Sequence, residues 1–205
     1  PEKVTMGDTF HNLRQNKPLF IVLLSFFFCV FHNVAGGIYI YFFIYNMGDG
    51  GLQMAIGIMG IVAAVLCLVA PMLTRRMQKR KLFMILCGLD IAVRVVMWFV
   101  GYQHAALLFI LLGLSTLFIM MSNILTSSMI ADTIEYAEYH TNKRCAAITF
   151  SGQTFTGKMS VAVGGGLIGV FLTLIGYVPQ AASQSESVLN GLFFGICLLP
   201  AFGSL

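Results

Sequence analysis

Six apolar runs, each close to twenty residues or longer, leave this chain almost no choice of fold. They fall near Leu19 to Tyr45, Leu52 to Leu73, Leu82 to Tyr102, Ala105 to Ile130, Ala146 to Ile175, and Val188 to the end at Leu205. A hydrocarbon core about 30 Å thick is crossed by about 20 apolar helical residues, and a helix satisfies its own backbone where no water is present. The predicted fold class is therefore all-α and integral to the membrane, with six transmembrane helices. Turn-forming stretches divide the runs: "NMGDGG", "TRRMQKRK", "GYQH", "EYAEYHTNKR" and "GYVPQAASQSES".

Composition agrees: 58% of the residues are hydrophobic and 10% charged, against about 25% charged in soluble domains. That balance excludes a soluble enzyme and a nucleic-acid partner. The five cysteines, Cys29, Cys67, Cys87, Cys145 and Cys197, are spread without CxxC spacing, and four lie in apolar runs where a thiol acts as a small hydrophobe. No metal site, disulfide framework or cofactor is expected. Pro1 opens a polar stretch rather than a charged start with a short apolar core, so no signal peptide is expected there. The last run is short at Leu205, and the expectation is a fragment of a longer protein.

Basic residues orient the runs. Lys3, Arg14 and Lys17 precede the first; Arg75, Arg76, Lys79, Arg80 and Lys81 separate the second from the third; Lys143 and Arg144 separate the fourth from the fifth. The alternate connections contain no Lys or Arg. By the positive-inside rule the N-terminus and both basic connections are cytoplasmic.

Two basic residues remain, both inside spans. Arg94 has Asp90 one turn earlier, an i,i+4 pair that neutralises within its own helix and is expected to be structural. Lys158 has no acid nearby in sequence; Thr154 and Ser151 are its polar companions along the helix. An unpaired intramembrane ammonium costs about 3 kcal/mol on insertion scales, so such a residue is kept for a partner or a task. Beyond it, Gly165 and Gly169 form a small-xxx-small pattern, expected to let another helix approach. His32, beside Asn33, is the histidine at depth, and a satisfied packing role is favoured there over a proton relay.

The densest polar cluster is "ADTIEYAEYHTNKR". Asp132, Glu135 and Glu138 are spaced i,i+3, and share a flank if the helix continues. No nucleophile or metal-ligand set accompanies these carboxylates, so catalysis is disfavoured. A solvated helix end is one reading. The other is a cytoplasmic gate in which these acids pair with Arg144, with the basic connection between the second and third spans, or with a partner domain.

"ADTIEYAEYHTNKRCAAITFSGQTFTGK", "IGYVPQAASQSESVLNG", "YFFIYNMGDGG" and "PMLTRRMQKRKLF" together resemble the glycoside-pentoside-hexuronide:cation symporters of the major facilitator superfamily, the family of the melibiose and glucuronide permeases. The resemblance implies spans seven to twelve of a twelve-span transporter. Residues 1–17 would end the central cytoplasmic loop, and 18–205 would form the C-terminal bundle with its last helix truncated. It implies a bacterial cytoplasmic membrane, a sugar, glycoside or hexuronide substrate, and the N-terminal half of the same transporter as partner. The coupling cation, Na+, H+ or Li+, would bind mainly in that N-terminal half. Carried over by position, Gln153, Thr154 and Lys158 face the central cavity as substrate-binding residues. Asn123 stands where the melibiose branch carries an aromatic platform, and joins them as a hydrogen-bonding candidate.

The favoured function is thus cation-coupled sugar symport by alternating access. A non-transporting membrane sugar sensor or scaffold would look alike at this level. An intramembrane enzyme using a desolvated Lys158 as general base is the weaker alternative, for it lacks a companion nucleophile.

Overall fold

The computed structural model describes residues 16–141 and 146–205. Among the described residues nine α-helices build six membrane-length elements, and no strand occurs. The first span joins α1 (Lys17–Phe27) to α2 (Val30–Asn46), and the second joins α3 (Gln53–Leu66) to α4 (Ala70–Arg76). Single helices form the next three: α5 (Lys79–Val100), α6 (Ala105–Thr141) and α7 (Ala146–Leu174). The sixth contains α8 (Glu186–Cys197) and α9 (Ala201–Ser204).

Each interruption has a local cause. Pro71 lacks an N–H for the carbonyl of Cys67, and the chain tightens there into a 3-10 turn over Cys67–Val69. Pro200 separates α8 from α9 in the same way. The first span has no proline at its break. Its bonds shorten to i→i−3 instead, Cys29 N–H to the Phe26 carbonyl and Phe31 N–H to the Phe28 carbonyl, both at 3.2 Å. Here α9 closes against the break: a Cβ at Gly203 would lie 2.7 Å from the Phe28 carbonyl oxygen. Gly203→Ala is therefore expected to destabilise the full-length protein by about 1 to 3 kcal/mol. Thermal unfolding in detergent checks this, and an unchanged midpoint would contradict it.

The main core gathers Val34, Ile38, Phe42 and Phe43 of α2 with Met97, Leu108, Leu112, Leu192 and Ile196. A second cluster, Cys67, Ala70, Leu82, Leu86, Met121 and Leu125, ties the second, third and fourth spans at their basic end. Large apolar side chains elsewhere stay uncovered, such as Met54 at 77% and Phe99 at 82% exposure, as lipid-facing residues do.

The fourth span departs from expectation. The sequence ends it at Ile130, yet α6 continues through the acidic cluster to Thr141. At 1.5 Å per residue it is about 55 Å long, so its last turns lie beyond a core of about 30 Å. The glycine pattern also differs. Gly165 and Gly169 meet nothing within 4 Å, whereas a Cβ at Gly164 would lie 3.1 Å from Asn33 Cβ and one at Gly157 would lie 3.2 Å from Phe26 Cε1. The close approach of the first and fifth spans runs along this neighbouring face of α7.

Candidate functional site

Phe26 of α1 and Gln153, Thr154, Gly157, Lys158, Val161 and Ala162 of α7 line an open groove of about 640 Å³. Positions 154, 158 and 161 recur at helical spacing, which brings Thr154 and Lys158 onto one face with Gln153 at its edge. Gly157, lacking a side chain, lets the Phe26 ring lie against α7 and form the aromatic wall. The Thr154 hydroxyl donates to the Phe150 carbonyl at 3.0 Å, keeping its lone pairs for the groove. Gln153 Nε2 donates to Ser127 Oγ of α6 at 2.9 Å, which anchors the amide across two helices. Lys158 is exposed in this groove and makes no hydrogen bond or ion pair with the described residues.

Asn123 stands apart. It lies on α6 one turn before Ser127, half-buried, and its Oδ1 accepts from the Cys29 thiol at 3.6 Å. It lines a second cavity of about 30 Å³ with Cys29, His32, Asp90 and Ser204. The groove thus assembles Gln153, Thr154 and Lys158 but not Asn123 among its lining residues. Phe26 and Ser127 join the site without a sequence signal, each an unremarked residue of an apolar or small-residue run.

Asp90 and Arg94 are each 1% exposed. Arg94 Nε donates to both carboxylate oxygens of Asp90 at 3.0 Å, and Arg94 Nη1 donates to the Ile196 carbonyl at 2.9 Å. Ser204 Oγ donates to Asp90 Oδ2 at 2.7 Å. His32 Nε2 lies 3.6 Å from the same oxygen. The pair therefore closes within its own helix, as the i,i+4 spacing predicts, and also joins the first, third and sixth spans. His32 is not fully satisfied: its Nδ1 is buried and has no partner among the described residues.

At the basic end, Lys79 Nζ donates to both oxygens of Asp132 at 2.7 Å. Asp132 and Glu135 are exposed, Glu138 is half-buried, and the continuous helix sets all three along one flank. Arg144 lies outside the described residues. Among the described residues no group of three His, Cys, Asp or Glu side chains is placed to hold a metal.

The family of MFS/sugar transport proteins matches residues 1–205, the whole chain. The chain belongs to that family. This MFS chain is 29% identical over 202 residues to an uncharacterised symporter of Bacillus subtilis, covering 98% of the chain and 44% of the relative. It is 28% identical over 197 residues to the isoprimeverose transporter of Lactiplantibacillus pentosus, covering 93% of the chain and 40% of the relative. It is 27% identical over 206 residues to the glucuronide carrier protein homolog of Escherichia coli, covering 96% and 43%. The chain therefore spans less than half the length of the curated relatives it matches. The family and these relatives are transporters rather than enzymes, and the six apolar helices make the MFS chain a multi-pass membrane protein.

Proposed function

We propose that this chain is part of a secondary transporter that moves a sugar, glycoside or hexuronide across a bacterial cytoplasmic membrane by cation-coupled symport. The observation that carries the reading is the groove in which Gln153, Thr154 and Lys158 face open space beside the Phe26 ring. Amide and hydroxyl groups exchange hydrogen bonds with sugar hydroxyls, and an aromatic face packs on the apolar side of a pyranose. The ammonium is the mobile part. In the empty state it pairs with an acid of the other half; in the loaded state it turns to substrate oxygen, including the carboxylate of a hexuronide such as the glucuronide relative is named for. Such an exchange gives the ligand differential affinity for two conformations, which alternating access requires. The coupling cation, Na+, H+ or Li+, binds mainly in the other half, and the basic connections face the cytoplasm.

Uptake of radiolabelled glycosides, pentosides and hexuronides into vesicles carrying the full-length protein, under imposed Na+ or H+ gradients, tests this. Gradient-dependent accumulation of one of them is expected. Binding without accumulation would identify a sensor instead.

Lys79–Asp132 is an ion pair that fits the gate reading. Both side chains are partly exposed, 34% and 54%, so the pair contributes only about 0 to 1 kcal/mol to stability. A contact that weak suits a tie that opens in each cycle. Asp132→Asn is expected to leave the unfolding midpoint nearly unchanged and to alter the transport rate about two- to fivefold, the reach of a contact of that size. Exchanging the charges with Lys79→Asp and Asp132→Lys should restore the rate. An effect on sugar affinity alone would contradict a gating role.

A further inference from the structure

Arg75 and Arg76 close α4, and Arg80 and Lys81 open the first turn of α5. All four are exposed, and none pairs with an acid among the described residues; in this run only Lys79 is engaged, on Asp132. Water alone would satisfy them, but their placement over the helices beneath is specific. Met72 stands three residues before Arg75 and four before Arg76, so it shares their side of α4. Met84 stands four residues after Arg80 and three after Lys81, and Ile85 four after Lys81. Met72 is 66% exposed, Met84 63% and Ile85 41%. Each cation thus shares a side of its helix with an apolar residue that the rest of the chain leaves exposed. A phospholipid presents the same order, a charged phosphate above an acyl tail.

The position of these helices agrees. The groove is carried by α1 and α7, whereas α5 packs chiefly on α6, with α8, α9 and α4 also against it. The second hydrophobic cluster fixes α4 and α5 to α6 and so fixes the spacing of the two basic helix ends.

We propose that this edge of the second and third spans is a binding site for anionic phospholipid headgroups. The guanidinium groups donate paired hydrogen bonds to phosphate oxygens, and Lys81 adds a point charge. The exposed methionines and Ile85 lie along the tails. Selection against zwitterionic lipid comes from four like charges without protein counter-ions.

The full-length protein, extracted from vesicles of equal phosphatidylcholine and phosphatidylglycerol, tests this by native mass spectrometry of the retained lipid. Wild type is expected to retain phosphatidylglycerol in clear excess. The variant with Arg75→Gln, Arg76→Gln, Arg80→Gln and Lys81→Gln should lose that excess about tenfold. Because those charges also help orient the chain, wild type alone provides a second readout: raising the salt concentration during extraction should lower the ratio of the two lipids. Equal retention of both lipids by wild type, a ratio indifferent to salt, or an unchanged preference in a folded quadruple variant would each overturn the proposal.

Discussion

Lys158→Ala in the full-length protein is expected to lower gradient-driven uptake about 10- to 100-fold, the loss that follows from removing one charge-assisted hydrogen bond of about 1.5 to 3 kcal/mol. The chain should still insert and fold. Lys158 has no partner among the described residues, so its removal strands no buried charge within them, and Val161 and Ala162 beside it already give that turn an apolar surface. Lys158→Arg keeps the charge but replaces a compact ammonium by a planar fork, and is expected to recover only part of the rate. Uptake by vesicles, normalised to inserted protein, is the measurement. Wild-type uptake by Lys158→Ala would remove the ammonium from the mechanism and leave it an unexplained charge.

Arg94→Met is expected to have the largest effect on stability. It would leave the Asp90 carboxylate 1% exposed with its principal counter-charge gone, and would also free the Ile196 carbonyl. Breaking a buried pair on one side costs about 3 to 5 kcal/mol. Ser204 and His32 would remain near the carboxylate, but one hydroxyl bond at 2.7 Å and an imidazole at 3.6 Å do not replace a guanidinium. Removing both charges together, Asp90→Asn with Arg94→Gln, is expected to recover much of the loss because no uncompensated ion is left. Unfolding midpoints of the two variants in detergent check this. A single variant as stable as wild type would mean that the pair is dispensable.

The number of the spans was legible because lipid leaves the backbone one economical solution, and hydropathy alone then marks where it applies. The interruption at Pro71 was also within reach, since proline removes a specific bond. The continuation of α6 to Thr141 was not: Asp132, Glu135 and Glu138 look like the end of a membrane run, but a helix beyond the bilayer tolerates them. Face assignments failed by a single residue. Glycines at 164, 165, 166 and 169 are equivalent in composition, and only the packed partner selects Gly164 for contact with Asn33. For the site, Gln153, Thr154 and Lys158 lie within six positions on one helix, so spacing alone places them together. Phe26 reaches them only through packing of the first span on the fifth. The family resemblance alone sets Asn123 in the same cavity, whereas a shift of one turn along α6 puts it beside Cys29. Likewise, the i,i+4 spacing exposes Asp90 and Arg94 as a pair, but nothing in it points to His32 or Ser204.

Whether the groove holds the sugar is read from labelling of Val161→Cys, a groove position to which no sugar contact is assigned, in the full-length protein. The maleimide reaction at this position is followed, above the labelling of the native cysteines, with and without a saturating concentration of the transported sugar. The transported sugar is expected to slow the reaction at this position, and a non-transported sugar is not. Equal rates in all three conditions would contradict a sugar site in the groove and place the substrate elsewhere in the transporter.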